Sequence, residues 1–148
     1  MILIAHNIRS LHNVGAIFRS AEVFVVEKIF LTGYTGVPPH KDIAKTALGS
    51  ENRVAWEKRE DIFSLINDLK KDSWKILGLE TGEKTIPITS LNSRERLVLI
   101  LGNEVTGIET EVRDELDGLV EISMPGRKRS LNVSVAAGIA MFVLGGKE

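Results

Sequence analysis

The sequence contains no cysteine, so it offers neither a disulfide framework nor a thiolate metal site. That absence fits a reducing compartment, and cytoplasm is the expectation. Charge of either sign is not in excess: 19 Lys and Arg stand against 20 Asp and Glu, for a formal net charge of -1. No global basic field therefore draws in a polyanion or an anionic membrane, and any site for one must be local. The longest apolar stretch, Val133 to Leu144, falls well short of the roughly 20 residues that span a bilayer, and Ser134 and Gly138 interrupt it. The apolar start, Met1 to Ala5, is too short and lacks the basic flank of a signal peptide. Two phosphate-binding patterns are missing as well. No G-x-G-x-x-G opens the first helix and no G-x-x-x-x-G-K-[ST] occurs, which removes support for a conventional dinucleotide fold or a P-loop. The three histidines, His6, His12 and His40, form no H-x-H or H-x-x-x-H pair, so no metal is expected.

What remains is ordinary globular usage, 43% apolar and 26% charged over 148 residues, which predicts one domain able to bury a core without staples. Short apolar runs at Ile2 to Ala5, Lys28 to Thr32, Trp74 to Leu79, Leu97 to Leu101 and Leu119 to Ile122 read as strands, with Arg53 to Trp56 a weaker candidate. The unbroken LVLIL of residues 97 to 101 predicts a strand covered on both faces. Helical spacing follows Asn13, which is placed to cap Val14, Ile17, Phe18, Ala21 and Val25, and recurs at Ile62, Leu65, Ile66 and Leu69. Shorter helices are predicted over His40 to Leu48, closed by Gly49, and over Glu109 to Leu116. A final helix, Asn132 to Leu144, is apolar nearly all round and calls for burial on every side or against a second subunit. Strands alternating with helices predict an α/β fold, a mainly parallel sheet with helices on both faces. Ligands of such sheets sit beyond the carboxyl ends of the strands.

Small, polar and charged residues crowd those ends. Asn7, Arg9, His12 and Asn13 follow the first run, Glu80-Thr81-Gly82 follow Leu79, and Gly102-Asn103-Glu104 follow Leu101. The richest segment is Met124 to Ser134, MPGRKRSLNVS. Its Pro-Gly turn admits close backbone approach, Arg127, Lys128 and Arg129 make a local basic spot, and Ser130 and Asn132 stand at the start of the last helix. Each loop alone has a plain reading as a turn, a solvated basic stretch or a helix cap.

Three blocks in order make a specific pattern. They are Asn7-x-Arg9-x-x-x-Asn13-x-Gly15-x-x-x-Arg19-Ser20, then Leu99-Ile100-Leu101-Gly102-Asn103-Glu104-x-x-Gly107-Ile108, then Ile122-x-Met124-x-Gly126-x-x-x-Ser130-Leu131-Asn132-Val133-Ser134-x-Ala136. Together they resemble the SPOUT superfamily of S-adenosylmethionine-dependent RNA methyltransferases, in its SpoU or TrmH-type branch, over the whole chain. The resemblance implies a single domain over 1–148 with no appended RNA-binding domain and a C-terminal deep trefoil knot, an exception to unknotted topology. It also implies a homodimer whose two subunits complete the site.

Carried over position by position, the catalytic set is Asn13, Arg19, Glu104, Ser130 and Asn132. S-adenosylmethionine would lie against Leu79, Glu80, Thr81, Leu101, Gly102, Asn103, Ile122, Met124, Ser130 and Leu131. RNA, with transfer RNA expected ahead of ribosomal RNA, would meet Arg9, Arg19, Arg127, Lys128 and Arg129, with Lys41 and Lys45 as further candidates. Because a guanidinium holds its proton, Arg19 is expected to clamp phosphate and stabilise developing negative charge, oriented by Asn13 and Asn132. Glu104 is expected to organise loops. A non-catalytic knotted RNA-binding relative and a small flavodoxin-like mononucleotide-binding module are the alternatives.

Overall fold

The computed structural model describes residues 1–92 and 95–145, so the last three residues of the expected 1–148 domain lie outside the described residues. Seven strands form one parallel sheet in the order β3-β2-β1-β6-β4-β7-β5. The strands are β1 (Ile2–His6), β2 (Lys28–Thr32), β3 (Trp56–Arg59), β4 (Lys75–Leu79), β5 (Thr85–Pro87), β6 (Leu97–Leu101) and β7 (Gly118–Glu121). The helices are α1 (Leu11–Val23), α2 (Lys41–Ala47), α3 (Ile62–Lys71), α4 (Thr110–Arg113) and α5 (Val133–Gly145).

Side chains of successive strand residues point to opposite faces, and the core divides accordingly. Leu3, Ala5, Ile29, Leu31, Leu99 and Leu101 pack under α1 and α5 with Ile17, Phe18, Ala137 and Met141. Ile2, Ile4, Phe30, Ile76, Val98 and Ile100 pack on the other face with Ile62, Leu65, Ile66 and Leu69 of α3 and Val112 of α4. β6 lies in the middle of the sheet with all five residues buried, as its unbroken apolar sequence requires.

Several local expectations need correction. Asn13 does not cap α1. Ser10 does, its Oγ accepting from the Asn13 N–H, because the chain enters the helix one turn earlier than the apolar spacing suggests. The strand expected at Arg53 to Trp56 runs instead over Trp56–Arg59, where charged and half-buried residues replace an apolar run. The helix expected over Glu109 to Leu116 is a single turn, Thr110–Arg113, and three-residue β5 carries too little pattern to be read. α5 is not buried on every side: Ala137, Ala140, Met141 and Leu144 face the core, whereas Val135 and Phe142 are exposed.

α1 and α2 meet at Gly15. A Cβ there would collide with the Ile43 carbonyl and with Thr46 Oγ1, which donates to the His12 carbonyl at 2.7 Å. Gly15→Ala, a change that gains up to about 1 kcal/mol in an open helix, is therefore expected to destabilise by about 1–3 kcal/mol through forced separation of the helices. Urea unfolding checks this, and a raised midpoint would contradict the contact.

Candidate functional site

β6, β4 and β7 are neighbours, so the segments leaving their carboxyl ends emerge side by side. Leu79 to Thr81 leave β4, Leu101 to Gly107 leave β6, and Ile122 and Met124 follow β7. With Ser130, Leu131, Val133 and Ala136 from the approach to α5, they line one crevice of about 220 Å³. All ten residues assigned to the cofactor from sequence lie on its wall. Val105, Thr106, Gly107, Val133 and Ala136 line it too and were not assigned to the site, although all five fall at named or open positions of the sequence blocks.

The loop after β6 is folded tightly over this crevice. Asn103 and Gly107 exchange backbone hydrogen bonds at 3.1 and 3.0 Å, and Asn103 Oδ1 accepts from the amides of Val105 (2.9 Å) and Thr106 (3.0 Å). A Cβ on Gly102 would stand 2.6 Å from the Gly107 carbonyl carbon, so the turn closes only around glycine. Glu80 fixes the far side, its Oε1 accepting from the Ile108 amide at 2.6 Å and lying 3.6 Å from Arg113 Nη2. The Glu80 carboxylate is thereby committed to the loop.

Glu104 ties the loop to the start of α1. Its carboxylate accepts from the amides of Arg9 (2.9 and 3.0 Å) and Ser10 (3.2 Å), and Asn13 Nδ2 stands 3.5 Å away. A negative charge at this helix N-terminus is favourable, since the free amides there carry partial positive charge. Asn13 Oδ1 in turn accepts from Asn132 Nδ2 at 3.2 Å. Asn132 Oδ1 caps α5, accepting from the amides of Ser134 (2.9 Å) and Val135 (3.3 Å). Asn13, Glu104 and Asn132, distant in sequence, form one chain of hydrogen bonds.

The remaining residues are distributed differently. Ser130 lines the crevice and is exposed. Arg9 sits beside Glu104, and Arg127, Lys128 and Arg129 lie exposed on the segment leading into Ser130. Lys45 pairs with Asp42 at 3.4 Å on α2, away from these loops, with Lys41 exposed on the same helix. Arg19 is exposed and makes no hydrogen bond or ion pair among the described residues. Asn13 and Asn132 make no bond to it in this chain: Arg19 lies six positions along α1 from Asn13, on a different face of the helix.

A second network, not singled out from sequence, closes the β1 end. Buried His6 shares a hydrogen bond from Nδ1 with Thr32 Oγ1 (2.8 Å), and its Nε2 donates to Glu109 Oε2 (2.9 Å). Asn7 Nδ2 donates to Glu109 Oε1 at 2.8 Å. Burial opposes the Glu109 charge, yet its own backbone amide, the His6 ring and the Asn7 amide outweigh that and hold its pKa below the ordinary carboxylate range. A depressed folded pKa means that the contribution to stability is complete at neutral pH and is lost as pH falls through the folded carboxyl's range. Glu109→Gln is expected to reduce the loss of melting temperature between neutral pH and about pH 3, a range that extends below the ordinary carboxylate pKa. An unchanged acid sensitivity would contradict it.

Among the described residues no cluster of three or more His, Cys, Asp or Glu is arranged to hold a metal ion, and no helix is long and apolar enough to cross a membrane.

Comparison with known proteins gives this geometry a lineage. The 23S rRNA (guanosine-2′-O-)-methyltransferase RlmB of Xanthomonas axonopodis pv. citri is 32% identical over 142 residues, covering 96% of this chain and 57% of that protein. The chain thus spans little more than half the length of such curated relatives. The crystal structure of an A. aeolicus TrmH/SpoU tRNA modifying enzyme superposes with a TM-score of 0.88 at 26% identity, over 98% of this chain and 73% of that one. The SpoU methyltransferase AviRb from Streptomyces viridochromogenes, solved in complex with AdoMet, shares the fold with a TM-score of 0.91 at 18% identity, over 99% and 59% of the two chains. The profile of the SpoU rRNA Methylase family matches residues 1–142, nearly the whole sequence, and the chain belongs to that family.

Proposed function

We propose that this chain is the methyl-transfer domain of an S-adenosylmethionine-dependent enzyme that modifies a ribose 2′-hydroxyl of RNA. The observation that carries the reading is convergence: the carboxyl ends of β4, β6 and β7 and the start of α5 share one crevice, and the Asn13–Asn132–Glu104 chain borders it. Its chemistry suits the cofactor. Leu79, Leu101, Ile122, Leu131 and Val133 give apolar walls for an adenine ring. Among the described residues no hydrogen bond involves residues 123 to 131, which leaves the backbone groups of Met124, Ser130 and Leu131 available to bond the polar edges of a ligand.

When bound, the cofactor supplies an electrophilic methyl group on a sulfonium. The chain's own tasks are to align the ribose, exclude water and stabilise charge. As the 2′-hydroxyl loses its proton, negative charge grows on its oxygen, and the guanidinium of Arg19 is the group we assign to meet it. Arg19 does not accept the proton, since arginine stays protonated in proteins, and the proton released on methyl transfer passes to bulk solvent. Glu104 does not either, because its oxygens are engaged by the Arg9 and Ser10 amides. Glu104→Gln accordingly should weaken cofactor binding and cost about 1–2 kcal/mol of stability while transfer at saturating cofactor persists. A loss of turnover with cofactor affinity intact would make Glu104 the base.

Arg19 reaches its place, in this reading, through a second copy of the chain. Ala16 and Ser20, which flank it on α1, line an apolar groove with Phe24, Val135, Ile139 and Phe142. The groove favours a homodimer, because Val135 and Phe142 are exposed apolar residues of α5 beside α1. A knotted C-terminus belongs to the same reading. β7 inserts between β4 and β5, strands consecutive in the chain, and the following segment carries α5 to α1, an arrangement that favours threading. Arg9 and Arg127 to Arg129 would meet phosphates beside the crevice, so affinity for RNA should fall with added salt.

Ribosomal RNA is the substrate we favour, as the more similar relatives are named for 23S rRNA; transfer RNA, the expectation from sequence, retains the A. aeolicus enzyme as its support. We place the protein with its RNA in the cytoplasm, consistent with its lack of cysteine. Incubation of the protein and S-adenosylmethionine with unmodified ribosomal RNA and, separately, transfer RNA, followed by nucleoside mass spectrometry, tests this. A 2′-O-methylnucleoside is the expected product. A base-methylated nucleoside, or none, would contradict the reading, and the latter would favour a non-catalytic RNA-binding relative.

A further inference from the structure

The chain's single tyrosine, Tyr34, lies on the loop that leaves β2, and its side chain is exposed at 61%. It is nonetheless held from several directions. Its amide donates to Asn7 Oδ1 at 3.1 Å, and its hydroxyl bonds Asn103 Nδ2 at 2.7 Å. The flanking carbonyls of Gly33 and Thr35 both accept from Lys58 Nζ, at 2.5 and 3.0 Å, and Thr35 Oγ1 donates to the Ala5 carbonyl at 2.9 Å. An exposed ring restrained at its backbone and its tip has little conformational freedom left to lose when something binds its face.

Its tethers locate it. Asn103 lines the crevice, and the same amide that bonds Tyr34 also bonds the Asn7 carbonyl at 3.0 Å. Asn7 lies two residues before Arg9, whose amide is held by Glu104. The ring therefore stands where the crevice meets the loop entering α1, the side from which a ribose would approach.

We infer that Tyr34 receives a nucleobase of the RNA substrate, stacked on its ring, within one nucleotide of the methylated ribose. This rests on the RNA-methylation reading above. The hydroxyl oxygen accepts from Asn103 Nδ2, which holds the tip of the ring and leaves its face open, and an aromatic face accepts any base. Arg9, exposed two residues after the Asn7 that holds the Tyr34 amide, supplies the charge for the adjoining phosphate.

The test uses the full chain with 13C-labelled tyrosine, which gives the ring resonances of one residue. Short oligoadenylate and oligouridylate are expected to move those resonances upfield. Tyr34→Leu is expected to raise the KM for ribosomal RNA by about 10- to 100-fold, with kcat at saturating RNA and affinity for S-adenosylmethionine unchanged. Tyr34→Phe and Tyr34→Trp, which keep a ring, retain RNA affinity. If Tyr34→Phe and Tyr34→Leu instead weaken cofactor binding equally, the residue merely supports Asn103 and the inference is overturned. Unmoved ring resonances in a protein that does methylate RNA overturn it alone, whereas a wild-type chain that neither binds nor methylates RNA overturns the underlying reading as well.

Discussion

Arg19→Ala is expected to lower the rate of methyl transfer by about 10²- to 10³-fold, the scale of removing one preorganised donor from a growing oxyanion. Affinity for S-adenosylmethionine should not change, since Arg19 does not line the crevice. Thermal stability should not change either, because the side chain is exposed and makes no bond to the described chain. Arg19→Lys separates charge from shape. A lysine supplies the positive charge but not the planar fork, so partial recovery is expected for charge stabilisation alone and little recovery where bidentate contact to a phosphate is needed. Full activity in Arg19→Ala would remove the residue from the reaction.

Phe142→Lys is the second large effect. Phe142 packs edge-on to Phe24, with ring centroids 6.1 Å apart, and is 66% exposed in the isolated chain. A charge there costs the monomer little, whereas within a self-associated α1/α5 surface it would be buried without a partner. A loss of about 2–4 kcal/mol of association energy is expected, as for other central aromatic anchors. Sedimentation should show the mass of two chains becoming that of one. Activity should fall with it, because Arg19 lies beside groove residue Ser20 and, as proposed, would reach the Asn13–Asn132 pair only through a second copy. A variant that stays dimeric, or a fully active monomer, would contradict the two-subunit site.

The sheet was legible wherever burial on both faces demands an unbroken apolar run, as in LVLIL of β6 and KIFLT of β2. It was illegible where a strand is short or lies at an edge: Thr85–Pro87 has three residues, and Trp56–Arg59 carries charge at every position but the first. The limits of α1 and α4 were missed for a local reason. Apolar spacing records which residues face the core, whereas the ends depend on which side chain bonds the free amides, Ser10 rather than Asn13. The all-round apolar sequence of α5 was ambiguous between a core helix and an interface helix, and its exposed Val135 and Phe142 favour the interface.

The walls of the crevice were legible because sequence blocks mark loops, and neighbouring strand ends bring such loops together. The bonds among those loops were not. Nothing in the local sequence distinguishes a carboxylate that binds a ligand from one that braces a turn, so the engagement of Glu80 with Ile108 and of Glu104 with Arg9 appears only in three dimensions. Arg19 shows the opposite limit. Its block places it with Asn13, but helix geometry turns it to another face, and a second chain is the proposal that would bring the two together.

The crevice at the ends of β4, β6 and β7 is the proposed seat of the sulfonium cofactor, and calorimetric titration of S-adenosylmethionine into the wild-type chain and into Gly102→Val tests it. One molecule is expected to bind per wild-type chain, competed by S-adenosylhomocysteine, and that binding is expected to be lost in the variant, whose added side chain drives apart Gly102 and the Gly107 to Ile108 backbone. Absence of binding heat from the wild type, or equal affinity in a folded Gly102→Val protein, would contradict it.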